Sequence, residues 1–412
     1  MQRVFRQGLR AIALAGAAVG AVSCSGSKDA AGGGGDAIKV GVYGPYTGGS
    51  QPMGASMRDG VRLAAEEINA KGGVLGKKIQ LVERDDQAVP ERGAQVMQDL
   101  VSNEKVVAVL GPINTGVALA SYKYPMQAKI PLIINVSAGA PVNELFKDNP
   151  DNYVFRIAAS DDIQAEMIVA EAVDKRGLKK VAFLCDETNY GQNGCKKMTE
   201  AATRRGITPV YVGKFKIKDT DMTAQLQEAR KAGAQAVLTY GIGPELAQIA
   251  NGMNKLGWKV PMIASWTASM SNFIDAAASN GNGVVMPQTF IQAGATRPQA
   301  TSFIDAYTKK YGTDRIPSAV SAAQGYDSMH LLANAIAQAG STDGPKVKAA
   351  LENLTQPYEG AIATFNKPYS ATDHEAIHKE QVVMGKVDNG KVVPPGGAPS
   401  TPSTAPVDTT RK

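Results

Sequence analysis

Residues 374–378 read His-Glu-Ala-Ile-His. On a helix, that spacing sets two imidazoles on one face beside a glutamate base, the arrangement of zinc hydrolases. The only other histidine, His330, stands in a predicted helix of another segment. Glu380 or Asp388 could complete a ligand set, but neither lies on a separate downstream helix. The motif also follows Pro368-Tyr369-Ser370 and precedes a predicted strand, a poor setting for a ligand-bearing helix. No Ser/His/Asp or Cys/His set stands out, and there is no P-loop. Gly241-Ile242-Gly243 lacks the third glycine of a dinucleotide fingerprint. The chemistry-bearing residues therefore argue for a non-enzyme without a cofactor, with zinc hydrolysis as a remote alternative.

The cysteines and the chain ends point out of the cytoplasm. Residues 1–23 carry Arg3, Arg6 and Arg10, then an apolar run over 11–22, and small residues before Cys24. This is the pattern of a secretion signal, too short to remain as a membrane span. Ala21-Val22-Ser23-Cys24 resembles a lipobox, which would make Cys24 a lipid-modified N-terminus. Residues 24–37 then form a flexible tether, and 394–412 a Pro/Ser/Thr-rich tail without the apolar content to fold. In an exported protein, Cys185 and Cys195, ten residues apart, read as a disulfide. The net charge of +6 includes the three leader arginines, and no basic run extends beyond Arg204-Arg205. Nucleic acid is excluded on that balance.

Between these ends the chain alternates strands and helices. Residues 38–86 begin with the β-branched run IKVGVY, which stops at Gly44-Pro45. A polar loop carries Tyr46, Thr47, Gln51 and Met53, and from Met57 the apolar residues Val61, Ala64, Ala65 and Ile68 fall at helical spacing. Lys71-Gly72-Gly73 closes that helix and IQLVE follows as a second strand. The pattern predicts a helix over 91–101, a buried strand over 106–111 and a helix over 117–127. A strand ending in Ser137-Ala138-Gly139 and an extended connection at 153–158 follow. It restarts with a helix over 161–176, the strand VAFLCD at 181–186, the loop ETNYGQNG, a helix over 195–205 and the strand PVYVGKF. Residues 108–133 and 236–263 share strand, Gly-Pro loop, helix and a Pro-led strand, a weak internal repeat. Helices over 298–311, 318–339 and 345–354 precede two short strands near 361–365 and 382–386. Such alternation predicts open parallel α/β sheets in two lobes, with ligands at the carboxyl ends of the strands.

The order of IKVGVYGPYTG, INAKGGVLGKKIQLVERDD, VLGPINTG, PLIINVSAGAP, NYGQNG and GYDSMHLLANAIAQAG resembles the periplasmic solute-binding proteins of the branched-chain amino acid ABC transport class, the leucine-binding protein family. The resemblance runs from about residue 38 to 393. It implies a type I periplasmic-binding-protein fold, two doubly wound open parallel-sheet lobes joined by a hinge of three crossings. Lobe one would take residues 38–157 and 288–357, lobe two 158–287 and 358–393, with crossings near Arg156, Pro287 and Tyr358.

The family's ligand contacts fall, by resemblance, on a small set of positions. The carboxylate-holding loop is Asn114-Thr115-Gly116, with Thr115 at the hydroxyl position, and the next loop is Ser137-Ala138-Gly139. Gly139 stands where a threonine is expected, and Trp266 where an acid would pair with an amino acid's ammonium. Tyr190 matches an aromatic that closes over the ligand, and Met53, with Tyr46, lies in the loop that lines the side-chain pocket. Asp186, Glu187 or Glu245 could supply the missing charge. Each position has a plainer reading: Thr115 and Ser137 as helix N-caps, Tyr46 and Met53 as loop packing. The implied function is delivery of a branched-chain amino acid-like or other small carboxylate or amide solute to an ABC permease and its ATPase. The chain would act as a monomer held at the membrane by its lipid anchor. The alternative is a sensor of the same fold reporting to a receptor or kinase.

Overall fold

Strand β1 (Ile38–Gly44) is buried along nearly its whole length. Val40 and Val42 face one core layer while Tyr43 faces another, so both sides of its sheet are covered. The computed structural model describes residues 37–145 and 147–394. The leader, the tether with Cys24, and the tail from residue 395 lie outside the described residues.

The first lobe builds outward from β1. The chain continues through α1 (Gln51–Ala70), β2 (Ile79–Asp85), α2 (Pro90–Ser102), β3 (Ala108–Leu110), α3 (Thr115–Ser121) and α4 (Lys123–Ala128). It then forms β4 (Leu132–Ile134), α5 (Pro141–Glu144) and β5 (Val154–Arg156). These strands make a parallel sheet ordered β2-β1-β3-β4-β5. The stretch expected as a plain connection at 153–158 is thus the edge strand β5, paired with β4. Three residues are too few to show a period of two, which is why the sequence does not mark it.

The second lobe repeats the scheme. Its elements are α6 (Asp161–Ala170), β6 (Val181–Asp186), α7 (Asn189–Thr203), β7 (Tyr211–Phe215) and α8 (Thr223–Lys231). After them come β8 (Ala236–Tyr240), α9 (Gly243–Lys255), β9 (Met262–Ala264), α10 (Ser271–Ala277) and β10 (Val285–Gln288). The chain then returns to lobe one as α11 (Pro298–Tyr311), α12 (Ala319–Ala339), α13 (Gly344–Leu351) and the hairpin β11 (Tyr358–Glu359) and β12 (Thr364–Phe365). It ends in lobe two as β13 (Val383–Asp388) and β14 (Lys391–Val393). The second sheet runs β14-β13-β10-β9-β8-β6-β7, with β13 antiparallel to both its neighbours, β10 and β14.

Helix α12 covers β1's side of the first sheet by lying almost against α1. A Cβ on Gly60 would sit 2.1 Å from the Ala322 carbonyl oxygen, and one on Gly325 2.2 Å from that of Met57. Only glycine permits that approach. Asp327 on α12 then accepts hydrogen bonds from Tyr358 and from the backbone of Ala361 and Ile362. That buried carboxylate holds the β11–β12 hairpin on lobe one. The expected boundary at residue 358 does not match these contacts, because the chain stays on lobe one as far as the pairing of Glu375 with Arg156.

Arg156, at the end of β5, joins the crossings together. Its side chain is 2 % exposed, and Nε and Nη2 grip the Glu375 carboxylate. Nη1 donates to the Gly139 carbonyl at 2.9 Å, and its backbone pairs with His374 and Ala376. Removing the partner leaves a desolvated guanidinium, so Glu375→Ala is expected to cost about 3–5 kcal/mol, seen as a lower urea midpoint. Glu375→Gln, which keeps one acceptor, should lose less.

Candidate functional site

Both sheets reverse strand order beside their first strand, at β1/β3 and at β6/β8, and the loops at those carboxyl ends face each other. On lobe one, Thr115 and Ser137 are each 1 % exposed, and their hydroxyls approach to 3.4 Å. Neither caps a helix. Asn114 holds the N-cap position of α3 without a side-chain bond to that helix, and Ala140 holds that of α5. The two hydroxyls instead bond to each other in the buried loop layer of lobe one. Asn114 donates to the Ser50 hydroxyl at 3.1 Å, joining this loop to the start of α1, and its Oδ1 has no partner among the described residues.

Gly139 has a steric reason. A Cβ there would lie 2.2 Å from Thr115 Cγ2, so the extra methyl of threonine at 115 takes the space a side chain at 139 would need. Met53 does not lie in a loop: α1 begins at Gln51, and Met53 is buried in its first turn within the lobe-one core. Pro52 at the helix start explains the early boundary. Tyr46 turns away from the cleft. Its hydroxyl donates to the Val42 carbonyl at 3.2 Å, its N–H to Asp85 at 2.9 Å, and the Arg58 guanidinium covers its ring.

On lobe two, Tyr190 belongs to the first turn of α7, which starts at Asn189 and not at residue 195. Thr188 accepts from Gly191 N–H as its N-cap, so the NYGQNG stretch is helical despite its glycines. The Tyr190 ring packs on Tyr240 with centroids 4.7 Å apart, and its hydroxyl has no well-formed partner among the described residues. Cys185 at the end of β6 and Cys195 on α7 form a disulfide with Cα atoms 6.0 Å apart, fastening this helix to its strand. Trp266 is buried, and its N–H donates to Gln164 at 3.4 Å while Nε1 is unpaired among the described residues. It borders a small hinge cavity with Thr289 and Gln324, whose Oγ1 and Oε1 are likewise unpaired. Sequence reading missed both residues, since a lone Thr and Gln in a crossing and a helix carry no motif.

The three acids named as possible charge sources are otherwise engaged or outside. Asp186 accepts from Thr188 N and Oγ1 and, through Oδ2, from Ile242 N–H, framing the starts of α7 and α9. Glu245 accepts from Lys218 N–H, and Glu187 is exposed. A different acid lies between the lobes. Asp161 is fully buried at the first position of α6, its N–H bonded to the Ala138 carbonyl at 2.8 Å and its Oδ1 to the Tyr240 hydroxyl at 2.6 Å. Burial pushes Asp161 up to about 7 and Asp186 up to about 6. Outside the cleft, Lys197 on α7 reaches Glu144 of lobe one, and Asn272 on α10 donates to the Gly49 carbonyl. The two lobes thus meet along the cleft edge.

The His-Glu-Ala-Ile-His segment is not a helix. His374 Nδ1 lies 2.8 Å from the Val154 carbonyl and Nε2 3.0 Å from Glu352, with its ring stacked on Phe155. Glu375 is held by Arg156 and Asn143. These groups lock the third crossing to β5, and no cluster of three metal-ligating side chains occurs among the described residues.

Residues 37–391 match the family model described as "Periplasmic binding protein". The chain is 26 % identical over 356 residues to "Leu/Ile/Val-binding protein homolog 3" of Brucella melitensis, covering 86 % of this chain and 93 % of that protein. A type 1 periplasmic binding protein from Bordetella pertussis superposes with a TM-score of 0.79 at 28 % identity, over 87 % of this chain and all of that one. The branched-chain amino acid transporter substrate binding protein LivJ of Streptococcus pneumoniae, in complex with isoleucine, gives 0.75 at 26 % identity, covering 86 % of this chain and 97 % of that one.

Two outcomes test this geometry. Gly139→Ala is expected to destabilise the fold by about 1–3 kcal/mol through overpacking. Thr115→Ala in the same chain removes the opposing methyl and should restore the urea midpoint. Asp161 and Asp186 bind protons in the folded state at pH values where the unfolded carboxyls have lost them. Stability should therefore fall as pH rises from about 4 towards the folded values, then level off. Asp186→Asn should flatten that decline in denaturation midpoints measured across pH.

Proposed function

The chain belongs to the periplasmic binding protein family, and we propose that it is the solute-binding component of an ABC importer for a small carboxylate-bearing solute, amino acids first among the candidates. The observation that supports this is the pair of buried hydroxyls at Thr115 and Ser137, which cap no helix and lie in the loops after β3 and β4 at the carboxyl edge of the lobe-one sheet. Hydroxyl donors on a rigid sheet edge suit a carboxylate, and an aromatic lid suits an apolar side chain. The relatives' names support the amino-acid class. Family membership puts the protein outside the cytoplasm, and its work is binding, not catalysis. Cys24 as lipid anchor and a permease with its ATPase as partner complete the proposal, resting on the leader pattern and on the resemblance.

The mechanism is closure without bond making. Three crossings restrict the lobes to a hinge motion: Ile157–Ser160 after β5, residues 289–297 after β10, and 379–382 before β13. A solute held on lobe one is desolvated when Tyr190 and Trp266 come over it. Its contacts, added to the Lys197–Glu144 and Asn272–Gly49 links, favour the closed form.

A thermal-shift screen of amino acids, aromatic carboxylates, amides and urea should return a carboxylate. Thr115→Ala and Ser137→Ala are each expected to weaken its binding by about 1–3 kcal/mol, as a desolvated ligand oxygen loses a donor. Unchanged affinity in both variants, measured by calorimetry, would move the site elsewhere.

A further inference from the structure

Trp266, Thr289 and Gln324 line one cavity with about 10 Å³ of free space, and all three are more than nine-tenths buried. Each has a buried polar atom without a partner among the described residues: Nε1, Oγ1 and Oε1 in turn. Leaving three such atoms unpaired together would be costly. The neighbouring amides cannot serve them. Gln164 is engaged with the Ala159 carbonyl and the Trp266 backbone N–H, and Gln288 with the carbonyls of Trp266 and Pro287. The cavity lies where the three crossings converge, since Ala158 of the first, Thr289 of the second and Val382 of the third share its wall. Gln324 comes from α12 on lobe one, and Trp266 from the turn after β9 on lobe two.

The pattern of donors and acceptors selects the occupant. An indole N–H only donates and an amide oxygen only accepts, so whatever joins them must accept from one and donate to the other. A metal cation or an ammonium cannot accept, and a carboxylate cannot donate. The space takes one water and no larger group. We propose that this hinge cavity binds a single ordered water, which accepts from Trp266, donates to Gln324 and pairs with the Thr289 hydroxyl. Three bonds are the usual complement of a buried water. The water joins lobe one, the second crossing and lobe two through groups that make no bond to one another, and so acts as a latch on the closed hinge. The site stands apart from the solute reading; its action as a latch rests on the crossings being a hinge.

The test is crystallography of the full chain at a resolution that places waters, beside Thr289→Val, Gln324→Met and the double variant. A wild-type density peak within hydrogen-bond distance of all three atoms is expected, and the double variant should lose it. Urea midpoints of the four proteins should be non-additive, because two side chains that share no bond are coupled through the water. Small-angle scattering without solute should give the double variant a larger radius of gyration than wild type, as the latch is released. Direct pairing among the three side chains, with no peak between them, overturns the proposal. A solute atom at that position in crystals grown with L-isoleucine also overturns it and makes the cavity part of the solute site. Additive midpoints overturn the shared water. A double variant that loses the water yet keeps the wild-type radius overturns the latch and leaves the site.

Discussion

A guanidinium shut away from water must find protein acceptors, and Arg156 finds them on two other pieces of chain, at Glu375 and at Gly139. It ends β5 and so stands at the first crossing; Glu375 brings in the third; the Gly139 carbonyl brings in a loop of the cleft. The same pairing brings His374 against Val154 and Phe155. The position of the Ser137–Gly139 loop is thereby tied to the first and third crossings. A buried pair of this kind adds little net stability, and its value is that alternative arrangements would leave a charge unpaired.

The cleft follows from topology. Each sheet reverses its order beside its first strand, which opens a crevice at the carboxyl ends. The residues there are small or hydroxylated on lobe one and aromatic on lobe two. Contacts then pass in an unbroken line from Thr115 through Gly139 and Ala138 to Asp161, Tyr240 and Tyr190. A solute seated on this line would touch both lobes, which is the condition for stabilising the closed form.

Two short motifs show how local pattern and tertiary role part company. His-Glu-Ala-Ile-His has the spacing of a metal helix, yet it runs irregularly along β5 because Arg156 and Val154 recruit its side chains. Asn-Tyr-Gly-Gln-Asn-Gly reads as a loop by composition but begins α7, because Thr188 caps it and Cys195 is bonded to the adjoining strand. In both, a partner distant in sequence or a cap outweighs intrinsic propensity.

Alternation of buried runs with amphipathic helices, punctuated by glycine and proline, was enough by itself to determine two parallel-sheet lobes, and the resemblance of the ordered motifs added the family. Patterns of that kind arise from burial, which every residue of an element reports. The loops holding Thr115 and Ser137 were legible for the same reason, as polar stops after apolar strands. Only the tertiary structure decided that Tyr46 bonds back to β1, that Gly139 makes room for Thr115, and that Asp161 joins a loop of each lobe. Those outcomes depend on single contacts between residues far apart in the chain. No periodicity records them, because one side chain's surroundings are set by whichever distant element packs over it.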